Sequence, residues 1–194
     1  MAASVTVAER TGRVIVALSS AAGRLALFDT RTGQRRGTVA TGAYPVDVIG
    51  DQRRERAYVL SEGAIPFTAP GNVSTIDLRH RRLLRTVAVG ISPISMVLHK
   101  RSGHVVILNQ TTSTRGGTVS ILAASTGLLL RTLPVGFEPT ALTIDEPTGH
   151  AFVTSQTAFV PRTDVLSTLI DRVRGSIGGT GNDNRGVVTM LDAG

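Results

Sequence analysis

The chain contains no cysteine and no tryptophan. The missing thiol excludes disulfide bonds, thiolate metal ligands and a cysteine nucleophile. Aromatic residues make up only 4% of the 194 residues, two tyrosines and five phenylalanines, which gives no support to a base-stacking surface. No run approaches eighteen uncharged apolar residues, so no segment reads as a membrane-spanning helix. Met1 to Glu9 has neither a basic start nor a long apolar core and does not read as a signal peptide. There is no Gly-x-Ser-x-Gly elbow and no His-Glu-x-x-His pair, so serine-hydrolase and zinc-hydrolase chemistry lack local support. Lysine is almost missing: of 21 basic residues only Lys100 is one, and the formal net charge is +7. The plain reading of that charge is a solvated arginine surface. Attraction to a polyanion requires the arginines to cluster.

What the chain does have is a repeat, on a hydrophobic content of 41% that suits a folded core. Three segments read alike: ValAlaThrGlyAlaTyrPro ending at Pro45, ValAlaValGlyIleSerPro ending at Pro93 and LeuProValGlyPheGluPro ending at Pro139. Their glycines, Gly42, Gly90 and Gly136, lie 48 and 46 residues apart. Four short runs rich in Val, Ile, Leu and Thr recur in register between them, each bounded by Gly, Asp, Pro or Arg. This is strand patterning. A period of roughly 40–50 residues suits the four-stranded blade of a β-propeller, whereas a β-sandwich demands no fixed motif period.

The expected fold is therefore all-β: a partial β-propeller with three complete four-stranded blades and an incomplete fourth, fifteen strands in all. The blades fall at about 1–42, 43–90, 91–136 and 137–194 as one propeller unit, with an inserted loop at about 157–184. Within that loop, Val165, Leu166, Leu169, Ile170 and Val173 share one helical face, which predicts one short helix. The register also predicts a truncated part of a longer repeat protein, with an unpaired edge at Val188 to Leu191.

The same residues resemble the YVTN-type β-propeller repeat. The matching elements are AlaTyrValLeuSer at 57–61 and AlaPheValThrSer at 151–155, ValSerThrIleAsp at 73–77 and LeuArgThrValAlaValGlyIleSerPro at 84–93. The resemblance implies a propeller of the lactonase-like or surface-layer type, placed outside the cytoplasm or at the cell surface. It carries no universal catalytic residue.

Strand order sorts the connections onto two faces. The Gly-x-x-Pro loops and the long loops at 61–72, 109–118 and 155–186 share one face, where long irregular loops favour binding. Candidate ligand-face residues are Tyr44, Asp47, Phe137, Glu138, Arg162 and Asp183. Asp47 breaks the repeat: Ser95 and Ala141 stand at its position in the next two copies, on the strand that lines the central channel. Gly178 to Gly186 lacks the context of a phosphate loop, and Asn182, Asp183 and Asn184 lack the full calcium-loop pattern.

The opposite face gathers Arg31, Arg35, Arg53, Arg54, Arg56, Arg79, Arg81, Arg82, Lys100 and Arg101 in short turns, with Asp145 and Glu146 on the fourth blade. Asp29, Asp77 and Asp192 recur at third-strand ends, which assigns them to turn structure. His80, His99, His104 and His150 lack ligand spacing and are expected at the surface. The function expected is a non-enzymatic binding or scaffold propeller with no metal and no cofactor. Its partner is a protein or carbohydrate on the long-loop face, and no sequence-specific nucleic acid. The alternatives are a lactonase-like hydrolase whose catalytic residues lie largely in further blades, and a binder of an acidic polymer or anionic surface through the arginine face.

Overall fold

The computed structural model describes residues 1–63, 69–110, 116–157 and 187–193. They form fifteen strands in four antiparallel sheets. The first sheet holds β1 (Ala2–Ala8), β2 (Arg13–Leu18), β3 (Arg24–Asp29) and β4 (Arg35–Ala40). The second holds β5 (Pro45–Asp51), β6 (Arg56–Ser61), β7 (Pro70–Asp77) and β8 (Arg82–Ile91). The third holds β9 (Pro93–His99), β10 (His104–Asn109), β11 (Thr118–Ala123) and β12 (Leu128–Pro134). The fourth holds β13 (Phe137–Ile144), β14 (His150–Thr157) and β15 (Val187–Asp192). A 3-10 turn at Glu9–Thr11, not foreseen in the sequence, joins β1 to β2. The helix expected near 165–173 lies outside the described residues.

The second strands of the second and third sheets do not alternate buried and exposed positions, whereas β2 and β14 in the first and fourth sheets do. β6 and β10 are buried over their last five residues, because the second and third sheets are packed on both faces. The outermost strands β8 and β12 instead run along the rim and stay exposed over most of their length. The innermost strands β1, β5, β9 and β13 pack side by side in chain order.

Three buried clusters fill the three seams. Ile15, Leu25 and Leu27 meet Val48, Val59 and Ile76 at the first. Tyr58 and Leu60 meet Met96 and Ile107 at the second. Val106 and Leu108 meet Leu142, Val153 and Leu191 at the third. Each fully buried aliphatic side chain contributes about 1.5–3 kcal/mol, so the seams hold the blades together. Val5 and Val7 on β1 and Val188 on β15 remain exposed, at 63%, 46% and 48%.

The repeat fixes local irregularities as well. Each inner strand slips register just after its proline, between Pro45 and Asp47 and between Pro139 and Ala141, and β9 does so against Asn109 of β10. Each outer strand is bulged at one equivalent place opposite the third strand.

Candidate functional site

Pairing to the second strand of each blade puts Ser4, Asp47, Ser95 and Ala141 at one register position on the inner strands. Asp47 is the only ionisable member of this row. The Ser4 hydroxyl donates to Asp47 Oδ1 at 2.9 Å, and the Met96 backbone N–H donates to Oδ2 at 3.1 Å. The Val48 N–H also reaches Oδ1, at 2.8 Å. One half-buried carboxylate thus spans three adjacent inner strands, β1, β5 and β9. Charge-assisted bonds of this kind are about twice as strong as neutral ones.

Tyr44, Phe137 and Glu138 sit where one blade hands over to the next. Tyr44, Ser92 and Glu138 each precede the repeated proline and share a left-handed backbone, with φ of 52°, 50° and 46°. Repetition over three copies ties this strain to the blade handover. The Tyr44 carbonyl accepts from Glu62 N–H at 3.1 Å, and the Ser92 carbonyl accepts from Gln110 N–H at 2.9 Å. The Gly-x-x-Pro loops at 42–45 and 90–93 are therefore joined to the first residues of the long loops at 61–72 and 109–118. Glu138 is exposed, and Tyr44 and Phe137 are half-buried. The partners of the Asp47 carboxylate named above are Ser4, Val48 and Met96. Arg162 and Asp183 lie outside those residues.

The opposite face departs from the plain reading of a solvated arginine coat. Arg13, Arg56 and His104 open the second strand of successive blades, and each bonds across a seam to a carbonyl just past the next blade's third strand. The acceptors are Leu78, Ala124 and Ala193; Arg56 Nη1 lies 2.8 Å from the Ala124 oxygen, and His104 Nδ1 lies 2.6 Å from that of Ala193. Arg10, Arg53 and Arg101 occupy a second equivalent position and reach the Gln52, Lys100 and Pro147 carbonyls at 3.1, 3.3 and 3.1 Å. A guanidinium is planar, always charged and rich in donors, so one side chain can bridge two blades. Their equal places in the repeat were the available sequence signal.

Two histidines also correct the surface expectation. His99 is 3% exposed, with Nδ1 2.7 Å from Ser102 Oγ and Nε2 3.1 Å from the Glu146 carbonyl. His104 is only partly exposed, held in its seam. Both hold turns or seams because their rings find partners 3 to 89 residues away in sequence.

The turn aspartates behave as expected of structural residues. Asp29 accepts from the backbone N–H of Arg31 and Thr32 and from Arg36 Nη2 at 2.8 Å, and the Arg36 contact is foremost in holding its carboxyl well below the usual range. Among the described residues, no three His, Asp or Glu side chains gather closely enough to hold a metal ion. No helix among them is long and apolar enough to cross a membrane.

No family model matches this sequence, and no curated protein sequence matches it. Solved structures do. The hydrazine synthase of Kuenenia stuttgartiensis superposes with a TM-score of 0.70 at 11% identity, over 84% of this chain and 47% of that one. A eukaryotic initiation factor superposes with a TM-score of 0.53 at 12% identity, over 69% of this chain and 32% of that one. The chain is a partial β-propeller. It spans about half the length of the hydrazine synthase chain it matches, 47%. At such identities the likeness carries the fold and no chemistry.

Proposed function

We propose that this partial propeller is a non-enzymatic binding or scaffold module of the YVTN-repeat kind, whose ligand face is the one where the Gly-x-x-Pro loops meet the long loops. The observation that carries this reading is the state of Asp47. Asp47, the carboxylate in the row of Ser4, Ser95 and Ala141, has both oxygens engaged, by Ser4 and by Met96 N–H. A carboxylate so held joins strands and is poorly placed to act as a general base, which needs free access to a substrate proton. The buried and half-buried polar groups of the opposite face are likewise spent on seams and turns.

The partner chemistry is a protein or carbohydrate ligand met by Tyr44, Phe137 and Glu138. The test is a lactone-hydrolysis panel run beside a glycan array. The expected result is no turnover above buffer, with glycan retention that falls on joint replacement of Tyr44 and Phe137 by alanine. Turnover that disappears in Asp47→Asn would establish the hydrolase reading instead.

A further inference from the structure

The blade-building residues repeat, so a cluster that does not repeat invites a separate explanation. One lies on the arginine face, at the seam between the first and second sheets. There a cleft of about 290 Å³ is lined by Gly12, Arg13, Asp29, Arg36, Arg79 and Arg81 among its residues. Four arginines and one carboxylate line it, and that carboxylate is already paired with Arg36 at 2.8 Å.

The equivalent seam between the second and third sheets carries less of this charge, with Arg56 and with Arg85 in the place of Gly37. Register places Leu84 where the first seam has Arg36, at the bulge of the outer strand. Counting on from the third-strand ends at Asp77 and Ala123, Ser125 stands for Arg79 and Gly127 for Arg81. Arg13 has its counterpart in Arg56, and both give Nη1 to carbonyls across their seams, Arg13 to Leu78 and Arg56 to Ala124 and Ser125, so the difference between the seams rests on Arg36, Arg79 and Arg81. The excess of arginine is therefore specific to the first seam and is not demanded by blade construction.

Arg81 gives an independent indication. Its backbone is left-handed, φ 55°, at the position filled by Gly33 with φ 68° and Gly127 with φ 70° in the neighbouring sheets. Glycine adopts that conformation freely and arginine does not. The Arg81 Nη1 donates to the Arg36 carbonyl at 2.8 Å, which fixes its guanidinium at the cleft wall. Arg79 is exposed and makes no side-chain hydrogen bond or ion pair among the described residues.

We propose that this cleft is a binding site for a compact tetrahedral oxyanion, the phosphate or sulfate group of a small ester, held by Arg79 and Arg81, with the Arg13 nitrogens not given to Leu78 beside them and Asp29 neutralised by Arg36. Planar guanidinium forks match such oxygens in bidentate fashion, and several converging on one cleft supply both charge and orientation. The site narrows the acidic ligand expected on this face from a long polymer to a small group, and it does not depend on the loop-face reading above.

The test is calorimetric titration of the full chain with inorganic phosphate and, separately, with inorganic sulfate. Saturable binding at one site is expected, weakened about tenfold or more by Arg79→Gln. Arg81→Gly, which installs the residue of the neighbouring turns, is expected to weaken it similarly. Arg101→Gln on the same face is expected to leave the affinity unchanged. Arg79→Gln removes no side-chain bond seen in the fold, so its unfolding midpoint without ligand stays at the wild-type value and a loss of binding reads as a lost contact. Preference for phosphate or for sulfate identifies the ester class. Non-saturable binding, or equal weakening by Arg79→Gln and Arg101→Gln, would show a diffuse charged patch and overturn the proposal.

Discussion

The hydroxyl of Ser4 and the carboxylate of Asp47 meet at 2.9 Å across the boundary between the first two inner strands, 43 residues apart in the chain. Through its other oxygen the same carboxylate takes the Met96 N–H of the third inner strand. Asp47 is thus a cross-tie among blades. Asp47→Ala should lower the stability by about 1–3 kcal/mol, because it strands a backbone donor and a hydroxyl. Ser4→Ala should cost about 1 kcal/mol. Denaturant melts of both singles and the double should give a non-additive cycle; simple additivity would show that the two groups act separately.

Tyr58 is fully buried and its hydroxyl donates to the Ala124 carbonyl at 2.7 Å, across the second seam. Burial foremost, with the Asp51 charge, pushes its phenol from 10.0 up to about 12. The folded value is the higher one, so the unfolded chain releases this proton first. Stability from this group is whole below pH 10 and is lost as pH rises toward about 12. The wild type should therefore weaken more steeply than Tyr58→Phe over that interval. Parallel slopes in alkaline denaturation curves would contradict this. At neutral pH the same substitution should cost about 1 kcal/mol through the lost hydrogen bond.

The acid limb follows from the turn aspartates. Asp29, through Arg36 and Thr32, and Asp145, through Thr148, both titrate below the ordinary 3.8. A depressed folded value means stability that is present above pH 3.8 and is lost as pH falls through the folded value. Joint Asp29→Asn and Asp145→Asn replacement should flatten the dependence of the melting temperature on pH below about 4. An unchanged acid slope would remove these turns from the account.

Two glycines predict opposite causes of damage. A Cβ on Gly117 would lie 2.4 Å from Pro139 Cγ and 2.9 Å from the Asn109 carbonyl oxygen. Gly117→Ala should cost about 1–3 kcal/mol, since the third and fourth blades must separate to admit it. Gly33 has nothing within 4 Å of such a Cβ but carries φ +68°. Gly33→Ala should cost only the backbone strain, about 1–2 kcal/mol. Interblade protection measured by hydrogen exchange distinguishes them: it should drop around Pro139 in the first variant and stay unchanged in the second.

Arg56 tests the seam role of the arginines. Its Nη1 lies 2.8 Å from the Ala124 oxygen and 2.6 Å from that of Ser125. Arg56→Ala should lower the unfolding free energy by about 1.5–3 kcal/mol, with little salt dependence because the acceptors are neutral carbonyls. A loss that vanished in high salt would mark a surface-charge effect instead.

The fifteen strands of the described residues and their grouping into sheets were legible in the sequence. Strand pairing within a blade joins residues close in the chain, and the repeat of Gly42, Gly90 and Gly136 displays its period directly. Asp47 was legible too, as a break in that repeat. What crosses between blades was not. Arg13 and Leu78 are 65 residues apart, and His104 and Ala193 are 89 apart. No local pattern states which side chain will reach which carbonyl, and a histidine in a turn looks alike whether solvated or, like His99, enclosed. The periodicity of one chain determines its blades, because hydrogen-bonded strands are neighbours in sequence. The tertiary structure alone decides the seams, because they are set by side chains that meet only after separate blades have packed.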